Sequence, residues 1–349
     1  MLKSQTFCFF LTIVSLHCIF FLASSRAQDE KDDPKGSDDT VAAVQPLQYV
    51  APKQIEMLIG IKLSPADQNM VSTVATTVFP AEWPEQKVEV LEVNVPPAFQ
   101  HGFRDLPGGN KQLLFQAALL PARTTVEATI KVRVEKSQIV GPTETDQFVR
   151  PKRPGRDVKN YLGNSPYIET TSSEVKKIVR EIDAKEPETE WKRVEMLYDW
   201  VRDKIVYTRG DLKSVKQAIK DKTGDCEEMT STFVALCRAA DVPARCVWIP
   251  GHCYPEFYLE DAEGNGYWFP CQAAGTRNFG SMPDNLPILQ KGDRFKVPED
   301  KELLRYLNDF VRSQERYGPG VAKPKVEFVR TLLGDAAKLP PPDQGAEQK

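Results

Sequence analysis

Apolar positions recur along this chain with two different periods, and the change of period divides it. From about Gln45 to Val149 the apolar runs are short, β-branched or alternating: Ile55 to Leu63, Val71 to Val78, Lys87 to Val95, Gln112 to Leu120 and Thr125 to Glu135. A period of two suits a half-buried strand, whose successive side chains point to opposite faces. Turn residues separate the runs at Pro80, Pro84, Pro96-Pro97 and Pro107-Gly108-Gly109. Short strands at this spacing predict a small β-sandwich over residues 45–149. His101 falls in a turn region between runs and reads as a surface-loop histidine; no catalytic constellation is visible in this part.

A Pro- and Arg-rich connector follows over 150–163, with Arg150, Lys152, Arg153, Arg156 and Lys159 in one span. It reads as a solvated linker rather than an anion site. The period then becomes helical. Ser172 or Ser173 can cap a helix running to about Ala184. A second helix is expected from Glu188 to Ile205, where Trp191, Val194, Leu197, Val201 and Ile205 recur at three- and four-residue steps. Tyr207 and Asp211 lie in a short connection, with Tyr207 a candidate for lining a site, and Val215 to Ile219 adds a helical turn or two.

A further amphipathic helix opens at Cys226. Asp225 is its N-cap, Glu227 and Glu228 suit its first turn, and Met229, Phe233, Leu236, Cys237 and Ala240 form one apolar face until Asp241-Val242-Pro243 stops it. It runs into a strand, after which two more are expected, Gly251 to Leu259 and Gly264 to Gln272. Downstream, Pro283 to Val297 reads as loop and strand, Glu299 to Ser313 as an amphipathic helix, and Lys325 to Leu333 as a strand or short helix. This places a core domain at 164–315 and an extension with a disordered tail, including Pro340-Pro341-Pro342, at 316–349.

Composition bounds the function. The 349 residues are 41% hydrophobic and 27% charged with a formal net charge of −3, which fits globular domains and implies no dominant basic surface, so no nucleic-acid partner is expected. Lys3, the apolar run Phe7 to Leu22 and Ser25-Arg26-Ala27 resemble a signal peptide over 1–27 cleaved after Ala27. Left uncleaved, it would be the only membrane contact. Residues 28–44 read as a flexible acidic leader. The expected location is exported: periplasm, cell envelope or extracellular.

Export gives the cysteines meaning. Of seven, Cys8 and Cys18 leave with the signal, and Cys226, Cys237, Cys246, Cys253 and Cys271 remain. An oxidising compartment tends to pair them, and the odd one is expected to be Cys226. A helix N-terminus stabilises a thiolate and offers N–H groups to an oxyanion, whereas Asp225, Glu227 and Glu228 oppose the thiolate. A nearby imidazolium would settle the balance, and His252 heads the next strand. If the hairpin turns near Ala262, His252 opposes Gln272 and Cys253 opposes Cys271. Gln272 can then orient the imidazole, Cys253 can bridge Cys271, and Cys237 can pair with Cys246. Zinc is disfavoured by the lack of C-x-x-C or H-x-x-x-H spacing, and calcium by the lack of an EF-hand pattern.

Gly224-Asp225-Cys226, running on to Arg238-Ala239-Ala240-Asp241-Val242-Pro243-Ala244-Arg245, resembles the transglutaminase-like superfamily, in which G-x-C opens a helix ending in R-A-x-G-I-P-A-R. His252-Cys253-Tyr254-Pro255-Glu256-Phe257-Tyr258 is similar to that family's H-A-W-x-E-x-Y strand, and Gly266 to Gln272 to its G-x-W-x-x-x-D strand; Leu197 to Tyr207 also resembles the helix before the core. The resemblance implies an α+β fold: a papain-like core of helices on an antiparallel sheet, here preceded by the β-sandwich. It implies Cys226 as nucleophile and His252 as base and acid, with Gln272 standing where the family has Asp. The expected activity is acyl transfer through a thioester on a protein or peptide substrate, with the cell envelope as one setting. The acceptor is water in hydrolysis or an amine in cross-linking, and no cofactor is required. The alternative is a weak or inactive binding module, favoured by the neutral amide at 272.

Overall fold

The computed structural model describes residues 46–314 and 322–338; the expected signal segment, the acidic leader and the Pro340-Pro341-Pro342 end lie outside them. The first part is all strand: β1 (Gln48–Ser64), β2 (Met70–Phe79), β3 (Gln86–Asn94), β4 (Gln100–Leu106), β5 (Asn110–Leu120) and β6 (Val126–Val140). Then come α1 (Arg156–Lys159), α2 (Ser173–Asp183), α3 (Glu190–Lys204), β7 (Val206–Tyr207), α4 (Val215–Asp221), β8 (Thr223–Gly224) and α5 (Cys226–Ala239). The chain continues through β9 (Ala244–Ile249), β10 (His252–Glu260), β11 (Gly266–Gln272), β12 (Asn278–Phe279), β13 (Gln290–Lys291), β14 (Phe310–Arg312) and β15 (Lys325–Leu332).

Two four-stranded antiparallel sheets, ordered β15-β1-β6-β3 and β14-β2-β5-β4, form the sandwich. Alternation sends Met57, Ile59, Ile61 and Leu63 of β1 inward against Leu113 and Phe115 of β5 and Ile130 and Val132 of β6. The last strands return to this sandwich: β14 pairs with β2, and β15 with β1. The expected boundary at 315 thus falls between two strands that both serve the sandwich. His101 is corrected from a turn to a strand position, on β4 opposite Phe115. As an edge strand half open to solvent on both faces, β4 carries no apolar alternation to reveal it.

The expected helices form, capped by Ser172, Thr189, Ser214 and Asp225. The amphipathic helix expected over Glu299 to Ser313 does not. Its backbone is claimed by tertiary partners: Phe295 and Leu304 exchange N–H···O bonds, Leu307 N donates to Gln290 Oε1, and Phe310–Arg312 joins β2. Helical spacing is a weak preference that such bonds override.

The rest of the compact unit Gln45–Lys349 is the antiparallel sheet β12-β11-β10-β9-β13 with α5 against one face and α2, α3 and α4 packed around it. On the other face Val247, Ile249 and Tyr254 meet Ile55 and Ile139 of the sandwich. A buried ion network spans the same junction. Lys291 Nζ lies 2.5 Å from Glu85 Oε1 and 2.6 Å from Glu256 Oε1, and Arg245 Nε donates to Glu256 Oε2 at 2.7 Å. The sheet carrying β10 is therefore held from both sides.

The β10–β11 hairpin departs from the expected register. Observed pairs run from Glu260↔Gly266 to Glu256↔Pro270, which centres the turn on residue 263 rather than 262. Asp261 decides this by accepting from Glu263 N, Asn265 N, Asn265 Nδ2 and the Tyr267 hydroxyl. Moving the centre by one shifts each partner by two, which preserves the face on which every side chain lies. The ladder ends at Pro270, so His252 pairs instead with Ile249, while Cys271 and Gln272 pair with Phe279 and Asn278. Neither proposed bridge forms: Cys226, Cys237, Cys246, Cys253 and Cys271 are all free thiols.

Candidate active site

The site is assembled at one end of α5. Gly224 and Asp225 bring the chain in from β8, which pairs in parallel with β7 and sets Tyr207 beside Gly224. A Cβ on Gly224 would lie 2.4 Å from the Glu228 Cβ, so only glycine lets the strand approach the first turn. The turn is closed by a reciprocal capping box. Asp225 N donates to Glu228 Oε2 at 2.8 Å, and the Asp225 carboxylate accepts from the backbone at Glu227 (2.8 Å) and Glu228. Glu228 is buried and also receives Lys213 N at 2.9 Å. Of the N–H groups here, the box takes those of Asp225, Glu227 and Glu228. That of Cys226 is the one it leaves beside the sulfur.

The structure brings Cys226, His252 and Gln272 together. His252 Nε2 lies 3.1 Å from Gln272 Oε1. Because an amide oxygen only accepts, this contact places the proton on Nε2. The charge of this imidazole also reaches the Cys226 thiol, which is pulled down from 9.0 to about 6. The largest cause is the neighbouring Cys253 thiol; burial opposes it, and the nearby His252 reinforces it. Burial, together with the charges of Cys226 and Glu228, pushes Asp225 up to about 7.

The other thiols are of a different kind. Burial raises Cys237, Cys246, Cys253 and Cys271 above the ordinary thiol value. Each is at most 1% exposed, against 7% for Cys226. Only one of the five is both ionisable near neutrality and within reach of a reagent.

Several supporting residues were invisible in the sequence. Tyr198 on α3 donates its hydroxyl to Gln272 O at 2.7 Å and accepts from Asn278 N at 3.1 Å. Arg202 on α3 donates to Gln272 O, Ala273 O and Gly275 O. Together they pin the backbone that carries the Gln272 amide. Across α5, Arg305 is held by Glu227, donates to Ser231 Oγ at 2.9 Å, and lies over Trp248 at 5.0 Å from the ring centre. Tyr306 packs on the same indole with centroids 5.5 Å apart. Tyr207, expected near the site, packs at the edge of the same core as Cys226.

Residues 176–273 match the transglutaminase-like superfamily model, so this segment carries a transglutaminase-like core. Among solved structures, a candidate cysteine protease from Cytophaga hutchinsonii is similar at 16% identity with a TM-score of 0.53, covering 81% of this chain and 99% of its own. A candidate protease from Parabacteroides distasonis ATCC 8503 matches at 12% identity over 66% of this chain and 48% of its own, with a TM-score of 0.26. The first of these supports the fold; the second is too distant for argument. No curated protein matches.

Proposed function

We propose that a chain built on this transglutaminase-like core is an exported thiol acyl-transfer enzyme acting on protein or peptide amides. The observation that carries the reading is the joint setting of Cys226: at the start of α5, beside His252, with Gln272 Oε1 3.1 Å from the far ring nitrogen.

The chemistry follows from the proton positions. With Nε2–H engaged by Gln272, Nδ1 takes the thiol proton and the Cys226 sulfur attacks the amide carbonyl carbon. The Cys226 N–H receives the oxyanion, since the capping box occupies its neighbours. The imidazolium returns its proton to the departing amine, the C–N bond breaks, and a thioester remains on Cys226. Water resolves the thioester to an acid in hydrolysis; a primary amine resolves it to a new amide in cross-linking. A neutral amide at 272 orients the ring without a second negative charge, which favours a slower enzyme than one with a carboxylate there.

An activated ester tests acylation independently of peptide preference. p-Nitrophenyl acetate is expected to give a p-nitrophenolate burst stoichiometric with enzyme and an acetyl mass gain on the Cys226 peptide, both lost in Cys226→Ala. Added alkylamine appearing in the acetyl product marks the cross-linking branch; acetate alone marks hydrolysis. No burst, or acetylation elsewhere than Cys226, overturns the reading and leaves a binding module.

A further inference from the structure

Cys253, one residue past His252, makes contacts that packing alone does not require. Its Sγ–H donates to Cys226 O across 3.5 Å, and its own carbonyl accepts from Thr230 Oγ1 at 3.2 Å. Residues 226 and 230 lie one helical turn apart, so both bonds clamp the start of β10 onto the first turn of α5. The clamp sits beside the imidazole and on the residue bearing the nucleophile. What sulfur adds is a donor aimed at residue 226.

Resting on the acyl-transfer reading, we infer that Cys253 is a positioning residue for the nucleophile: its thiol, bonded to the Cys226 carbonyl, and its own backbone hold the first turn of α5 against the His252 strand and so fix the Cys226 sulfur beside the imidazole. Burial keeps the Cys253 proton in place, its own ionisation being raised well above the ordinary value, so it acts as a donor throughout the range in which Cys226 ionises. The other charged and titratable groups facing the pair are Asp225 and Glu227 around the helix start, His252 on β10, Cys246 on β9, and Arg305, whose guanidinium is tied to Glu227.

The test follows Cys226 alkylation by iodoacetamide against pH, read by peptide mass spectrometry on the full chain. Cys253→Ala and Cys253→Val both lack the donor, and valine keeps the cavity filled; Cys253→Ser keeps a donor. Wild type is expected to reach half-maximal reactivity near pH 6. Both donor-less variants should shift this upward by about one pH unit or more, with serine restoring most of the shift. Donor-less profiles that superimpose on wild type overturn the role of Cys253 while leaving acyl transfer standing. A wild-type midpoint above about 8 that ignores His252→Ala overturns both.

Discussion

His252 Nε2 and Gln272 Oε1 meet at 3.1 Å although 20 residues separate them and the ladder between their strands stops at Pro270. Side-chain reach, guided by the Tyr198 and Arg202 bonds to the Gln272 backbone, brings them together. Gln272→Ala should lower the acylation rate by about 10-fold or more, short of the roughly 10⁴-fold seen when a triad holds the wrong tautomer. Gln272→Glu keeps an acceptor and adds a charge that stabilises imidazolium, so activity should persist to higher pH. The burst rate measured against pH decides both, and an unaltered Gln272→Ala enzyme would exclude the orienting role.

The lowered Cys226 ionisation links stability to pH. The folded chain releases this proton at about 6 rather than 9.0. Its contribution to stability is therefore fully present above pH 9 and is lost as pH falls through 6. The excess melting temperature of wild type over Cys226→Ser should be largest near pH 9 and shrink toward pH 6. Asp225, pushed up to about 7, acts in the opposite sense but is present in both proteins, so the subtraction removes most of it. A difference that grows as the solution is acidified would contradict the lowered value.

Gly224→Ala should reduce both stability and acylation. The added Cβ meets the Glu228 Cβ at 2.4 Å, and Glu228 cannot yield without releasing Asp225 N and Lys213 N. Overpacking of this kind costs about 1–3 kcal/mol. Denaturant titration gives the stability, and iodoacetamide labelling at pH 6 reports the first turn; wild-type labelling in Gly224→Ala would show that the turn tolerates a methyl.

Lys291→Met should destabilise the junction of sheet and sandwich by about 3–5 kcal/mol, because Glu85 and Glu256 lose a shared cation while buried. Glu85→Gln combined with Lys291→Met leaves Glu256 with Arg245 and should cost less than Lys291→Met alone. Guanidinium unfolding of the three proteins checks the order. Equal stability of single and double variants would mean that the Glu85 charge is not stranded.

What the sequence determined by itself is local and periodic. Five strands of the sandwich and the capped helices α2, α3 and α5 follow from apolar spacing and capping residues, which act within a few positions of one another. The parity that puts His252 and Gln272 on a common side survived a misplaced turn, because a shift of two leaves faces unchanged. Tertiary structure decided the rest. Asp261 chose the hairpin register through four hydrogen bonds that no period records. Long-range partners unmade the helix expected over Glu299 to Ser313, and pairing across some 270 residues drew Lys325–Leu332 back onto β1. The thiol-to-carbonyl contact of Cys253 with Cys226 also needed the fold, since only the packing of β10 on α5 turns an apparent disulfide partner into a neighbour of the nucleophile.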